Sequence, residues 1–318
     1  MLAKKVVVGL VLAVVFSLLN GCVLFAPKPM REANDMIQTG VSNFAATRSG
    51  DYNFDLDINL LGRDGNDKAQ NATIHLVASG DSASKDERVS FNTKLFADAI
   101  LNGDAYKLDG ELRGNDSTLF AFLKTLSGPE ELFNKEMVSQ FTNRWWKIPL
   151  PDTAKTPHQV KKYTAEDFQA FFQILSKYLT GLAYDGADGS PGVDSYRYVA
   201  QLDNLKMKEL LVGFTQSQGR SLTAEESGQL DEFLENFRGE VTLWVSMSGE
   251  ILNRIRFDFV MGRIESSDGK SLGKGSAQLN LSVSNFGKQV IVEEPTEALE
   301  YDFFGKFGEL FGLGSLSP

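Results

Sequence analysis

Polar and apolar residues alternate strictly along DYNFDLDINL, where Phe54, Leu56, Ile58 and Leu60 interleave with Asn53, Asp55, Asp57 and Asn59. Side chains on a strand point to opposite faces with a period of two. The pattern therefore predicts a strand with one buried and one wet face. It recurs at Ala72, Ile74, Leu76 and Ala78, at Val89, Phe91 and Leu95, and at Tyr106, Leu108 and Leu112. It returns near the end at Val241–Met247, at Ile255, Phe257 and Phe259, and at Ala277, Leu279, Leu281 and Val283, with a final run ending at Ile291 and Val292. Polar runs such as GRDGND and GDSASKDE, and a glycine-rich loop at 262–276, read as the connections.

The middle of the chain has a different period. Residues 30–45 carry a helical stripe, and helices are predicted over 129–141, 164–182, 205–217 and 223–237. Thr164 and Asp167 have capping spacing at the start of the 164–182 segment. Its apolar arc is too wide for a helix lying half in water. NRWWKIPLP reads as a short strand stopped by prolines, and YRYVAQL as another. Strand meanders at both ends with helices between them give an α+β class. A single large curved antiparallel sheet, a half-barrel wrapped around several helices, satisfies every one-faced strand.

Location is written at the start of the chain. Lys4 and Lys5 precede an uncharged run from Val6 to Leu19, closed by Leu19-Asn20-Gly21-Cys22. The run is shorter than the roughly 20 residues of a spanning helix and has the layout of a secretory signal. Cys22 is the only cysteine among 318 residues. Its position fits a bacterial lipobox, with Asn20 a departure from the usual small residue. The expected organisation is a lipoprotein signal peptide over 1–21, a lipidated tether over 22–34, one domain over 35–295 and an apolar tail over 296–318. A diacylglyceryl group plus an N-acyl chain makes a stable anchor where one chain does not. Val23 and Leu24 do not supply an inner-membrane retention signal. The expected location is the outer membrane, or the outer face of the cytoplasmic membrane in a one-membrane bacterium.

Removing residues 1–21 removes two lysines and no acids, taking the net charge from −10 to −12. Such a surface repels nucleic acid. The chemistry-bearing residues form no catalytic constellation. His75 faces outward on a strand and His158 follows Pro157, with no second histidine or cysteine at metal-ligand spacing. Ser82-Ala83-Ser84-Lys85 matches S-x-x-K only by count and falls in a turn. Asp185-Gly186-Ala187-Asp188-Gly189 lacks the alternating acids of a calcium loop and reads as a solvated turn. No enzyme, cofactor or metal is expected. Trp145 and Trp146 must face opposite ways on a strand.

The lipobox and short tether, the helix leading into DYNFDLDINL, the WWKIP element, and GEVTLWVSMSGEILNRIRFDF followed by QLNLSVSNFGKQVIVEEP together resemble the LppX/LprG group of bacterial lipoproteins, and more broadly the LolA/LolB-type half-barrel. The resemblance implies a cavity between sheet and helices that takes up acyl chains of lipids or lipoproteins. The positions that would line it are Phe54, Leu56, Ile58, Phe168, Phe171, Phe172, Leu175, Leu179, Ile255 and Phe257. The same residues serve equally as a solid core. Two readings stay open: a membrane-tethered carrier of lipid acyl chains without catalysis, or an interaction, sensor or structural lipoprotein with a filled core. An envelope hydrolase is the weakest reading. In the tail, Phe303, Phe304, Phe307, Leu310 and Phe311 fall at helical spacing and are expected to dock on the protein body, the alternative surface being the membrane or a partner. The lipobox makes one direct prediction. Cys22→Ser abolishes incorporation of labelled fatty acid and releases the protein from membranes, and unchanged labelling rules the lipobox out.

Overall fold

The computed structural model describes residues 29, 31–47, 49–63, 69–85, 88–115, 118–131, 133–149, 177–190, 193–217, 221–265 and 271–300. In chain order these form α1 (Ala33–Ala46), β1 (Ser49–Arg63), β2 (Ala69–Lys85), β3 (Arg88–Leu101), β4 (Asp104–Gly114), β5 (Thr118–Ser127), α2 (Lys135–Phe141) and β6 (Trp145–Pro149). There follow β7 (Leu179–Ser190), β8 (Val193–Leu202), α3 (Asn204–Ser217), α4 (Ala224–Asn236), β9 (Phe237–Ser246), β10 (Leu252–Glu265), β11 (Ser271–Ser284) and β12 (Leu299–Glu300).

The strands form one sheet in the order β12-β6-β5-β4-β3-β2-β1-β11-β10-β9-β8-β7. Every pairing is antiparallel except the short parallel contact of β12 with β6. The sheet is open, with β12 and β7 at its edges. The expected large antiparallel half-barrel of an α+β protein is the architecture observed.

Register carries the sequence alternation across the sheet. Leu56 stands opposite Leu76 on one side and Leu279 on the other, while Asp57 stands opposite His75 and Gln278. The helices pack on the apolar face. Met36, Ile37 and Val41 of α1 meet Tyr198, Val241, Leu243, Val245, Leu252 and Ile255 in the main core. Gly40 lets the helix approach closely, since a Cβ there would lie 3.2 Å from the Leu252 nitrogen and from Val245. Arg31 pairs with Glu250, and Asn43 donates to the carbonyls of Gly249 and Glu250 at 3.2 and 3.0 Å, fixing α1 to the β9–β10 turn. A second core, Ala121, Phe141, Trp146 and Ile148, seats α2 at the other flank. Phe233 stacks on Phe237, Phe237 on Phe259 and Phe259 on Phe257, bringing the end of α4 onto β10.

Several segments differ from the sequence expectation. The segment read as a helix to 182 is a strand from Leu179 onward. Gly181 has φ +68°, outside the helical region, and Leu179 and Thr180 pair with Leu202 and Gln201. The Asp185–Gly189 stretch is part of β7, which bulges between Tyr184 and Ala187 with Gly186 at φ +112°. The 82–85 stretch belongs to β2 and pairs with β3. The loop expected over 262–276 narrows to the segment between β10 and β11. Gly275 sits in β11 where a neighbour crosses close to the strand: a Cβ there would meet Leu60 at 2.6 Å. The helix expected over 129–141 starts at Lys135, after a turn in which the Phe133 nitrogen donates to the Pro129 carbonyl. Ile291 and Val292 lie in no strand.

Tyr198 is fully buried and its hydroxyl has no hydrogen-bond partner. Burial, with Tyr196 and Tyr184 nearby, pushes its pKa up to about 12. An unsatisfied buried hydroxyl costs about 1–3 kcal/mol. Tyr198→Phe is therefore expected to raise unfolding stability by about 1 kcal/mol, seen in denaturant melts as a higher midpoint at unchanged slope.

Candidate functional site

The apolar face is built from rows of residues in register. One row runs Ile255, Leu281, Phe54, Ala78, Leu95. The next runs Phe257, Leu279, Leu56, Leu76, Ala97, Leu108. A third runs Phe259, Ala277, Ile58, Ile74, Ala99, Tyr106. The described helices pack mainly on β5, β7, β9 and β10, so the rows on β11, β1, β2 and β3 lie between two helix-covered flanks. Apart from buried Ile255, the three rows are half-buried.

Of the positions proposed from sequence to line a cavity, Phe54, Leu56, Ile58, Ile255 and Phe257 come together in these rows. Leu179 lies apart, at the β7 edge, against the main core. Phe168, Phe171, Phe172 and Leu175 lie outside the described residues, as do His158, Cys22 and residues 301–318. Under α1 the packing is tight: the cavity between Phe44, Leu252, Ile255, Leu281 and Val283 measures about 10 Å³, room for about one water. At one end of the rows Tyr52 crosses over Gly80 to hydrogen-bond Thr93 two strands away. Burial raises the Tyr52 pKa, against the lowering effect of that bond.

The opposite face is polar and carries features that the sequence reading did not locate. After β11, residues 285–298 cross this face as a strap. Gly287 N donates to the Ser49 carbonyl, Asn285 to Asp51, Asn92 to the Ile291 carbonyl and Arg113 to the Glu293 carbonyl. Lys288 reaches both Asp51 and Asp81, the latter at 3.0 Å. The strap ends by pairing Leu299 and Glu300 with Trp146 and Lys147. Beside it a cavity of about 460 Å³ is lined by Asp81, Asn92, Lys94, Glu111, Arg113 and Ile291, among others. The two tryptophans of WWKIP take opposite faces. Trp146 is core and donates to the Phe141 carbonyl at 3.0 Å. Trp145 lies on the polar side under the Arg113 guanidinium, 4.6 Å from the ring centroid. The V-x-x-P run at 292–295 marks the strap in the sequence, but its apolar Ile291 and Val292 carry a strand-like pattern.

No protein-family model matches the chain, and no curated protein matches it by sequence. Among solved structures it is similar to the lipoprotein LppX of Mycobacterium tuberculosis, at 12% identity and a TM-score of 0.30, covering 82% of this chain and 98% of that one. It is similar also to LprF of Mycobacterium bovis, at 12% identity and 0.35, covering 85% and 99%. A LolA-superfamily protein of Nitrosomonas europaea aligns at 10% identity and 0.20, covering 82% and 95%. Identities and scores of this size transfer no residue role. The reading of the faces rests on this chain's own register.

The strap contacts set a pH window. Hydrogen bonds from Asn285, then Lys288, hold the Asp51 pKa below its ordinary 3.8. Bonds to Asp51, then Asp81, push Lys288 above 10.5. The Asp51 contribution is complete above the unfolded value and is lost as pH falls through the lowered folded value. The Lys288 contribution is complete below 10.5 and is lost as pH rises through the raised folded value. Protection of residues 285–298 from protease is therefore expected to be flat through neutral pH and to fall below about pH 4. Lys288→Met is expected to speed cleavage there several-fold at pH 7 while leaving the far-UV circular dichroism unchanged.

Proposed function

We propose that the chain is an exported envelope lipoprotein, tethered through acylated Cys22, that holds lipid acyl chains against the apolar face of its open sheet without covalent chemistry. The observation that carries this reading is the continuity of the apolar rows across β10, β11, β1, β2 and β3, half-buried between two flanks that the helices cover. Half-buried aliphatic rows of that width suit an extended hydrocarbon chain, since each methylene moved from water to an apolar surface contributes about 0.8 kcal/mol. The proposed contacts are Phe54, Leu56, Ile58, Ile255 and Phe257, with Leu179 at the margin. Phe168, Phe171, Phe172 and Leu175 are retained in the proposal on their sequence pattern alone. The anchor supplies the location: the outer membrane, or the outer face of the cytoplasmic membrane where there is one membrane.

A second reading, an interaction or structural lipoprotein with a filled core, draws support from the tight packing under α1, where Val41, Val241 and Val245 are fully enclosed.

Lipid extracted from protein produced without residues 1–22 and identified by mass spectrometry separates the two. The first reading expects copurifying acyl lipid and saturable binding of a fluorescent fatty acid. Leu56→Asp, in the central row, is expected to weaken that binding at least tenfold. Leu61→Asp, on the same strand but the opposite face and already 51% exposed, is expected to leave it within twofold. Absence of lipid from the wild type, together with unfolding of Leu56→Asp, makes the filled core the correct reading, because a carboxylate in a packed interior costs several kcal/mol.

A further inference from the structure

The polar face of β1 and β2 holds a cluster outside the proposed lipid surface. We propose that Asp55, Asp57 and His75 form a binding site for a divalent first-row transition ion such as zinc. The proposal does not depend on the lipid reading. Asp57 stands directly across from His75 in the β1–β2 ladder, and Asp55 lies two residues away on the same face. His75 Nδ1 is 2.8 Å from Asp57 Oδ1 and 3.8 Å from Asp55 Oδ1. One donor atom from each of the three residues lies within 4.8 Å of the other two. Bonds of about 2.0–2.2 Å to a tetrahedral ion separate its ligand atoms by about 3.4 Å, so small side-chain rotations bring all three to one centre.

A further feature favours a cation at this place. Asp55 Oδ1 is closed to solvent and has no hydrogen-bond partner. A carboxylate oxygen in that state is costly, and His75 Nδ1, 3.8 Å away, is already engaged by Asp57. A cation at the centre of the cluster satisfies it. The imidazole is set by Phe96, whose ring meets it edge-on at 6.0 Å between centroids. Asp98, across β2 from the site and in register with His75, adds negative potential. The nearby cations are turned to other partners: Arg256 pairs with Asp258, and Lys107 lies 5.5 Å from the Phe96 ring centroid. One imidazole and two carboxylates suit zinc or manganese better than copper(I), which prefers sulfur, or calcium, which prefers all-oxygen cages. The three side chains keep 36–47% of their surface exposed, which leaves an entry path and room for water to complete the coordination. An ion here clips β1 to β2 directly behind Leu56 and Ile58.

The test uses the full chain in detergent, stripped with a chelator and titrated with Zn²⁺ by calorimetry, with Co²⁺ absorption as a second readout. The expected result is one ion per chain, a Co²⁺ visible band, and a melting temperature raised by Zn²⁺. His75→Ala and Asp55→Asn are each expected to weaken binding at least tenfold and to remove the thermal shift, while His158→Ala leaves both unchanged. Asp55→Asn keeps the side-chain shape and decides the matter if His75→Ala is poorly folded. Absence of Zn²⁺ binding, or equal affinity in wild type, His75→Ala and Asp55→Asn, overturns the site.

Discussion

Strand register is the constraint on which the other features of this protein depend. In a sheet with a side-chain period of two, a slip of one residue exchanges the faces completely. Here β1 alternates Phe54, Leu56 and Ile58 with Asp55 and Asp57, and its two neighbours bring Ile74, Leu76 and Ala78 and Ala277, Leu279 and Leu281 to the same side. A slip at either ladder would set aspartates among the aliphatic rows and turn those rows to the polar face. The penalty is repeated along more than ten residue pairs in each ladder, so the register is strongly specified.

The two faces of the sheet consequently support different chemistry within a few ångströms of each other. The apolar face has helices at both flanks and continuous aliphatic rows between them. The polar face has ion pairs, tryptophan–arginine stacks at Trp145–Arg113 and Trp244–Arg254, the strap, and the Asp55–Asp57–His75 cluster. Residues 56 and 57 are adjacent in sequence but lie on opposite faces, one in the apolar rows and one in the polar cluster.

The open edges are handled by local irregularity. β7 carries two breaks in register and two glycines at positive φ, which spoil it as a template for pairing with another chain. At the other edge β6 is covered by the two residues of β12, delivered there by the strap. The strap thus joins the central strands to the edge across the polar side, and the Lys288 contacts with Asp51 and Asp81 hold it near its start.

Much of the fold was legible in local pattern. Alternation over Phe54–Leu60 and Ala277–Val283 identifies strands and their buried faces, because exposure on a pleated strand depends only on parity. That Trp145 and Trp146 take opposite faces follows from the same parity. The expected lipobox is a reading of the same local kind, since it rests on a contiguous string ending at Cys22. The tertiary structure decided what depends on partners distant in sequence. Leu179 becomes strand because Leu202 pairs with it and Gly181 leaves the helical region, neither of which a helical stripe reveals. The segment 285–298 becomes a strap because Asp51, Asp81, Asn92 and Arg113, all far upstream, supply its hydrogen bonds and ion pairs. Asp55, Asp57 and His75 meet because the β1–β2 ladder sets residue 57 against residue 75. Spacing along the chain holds no record of that register, so the three residues read separately as two ordinary surface acids and a lone histidine.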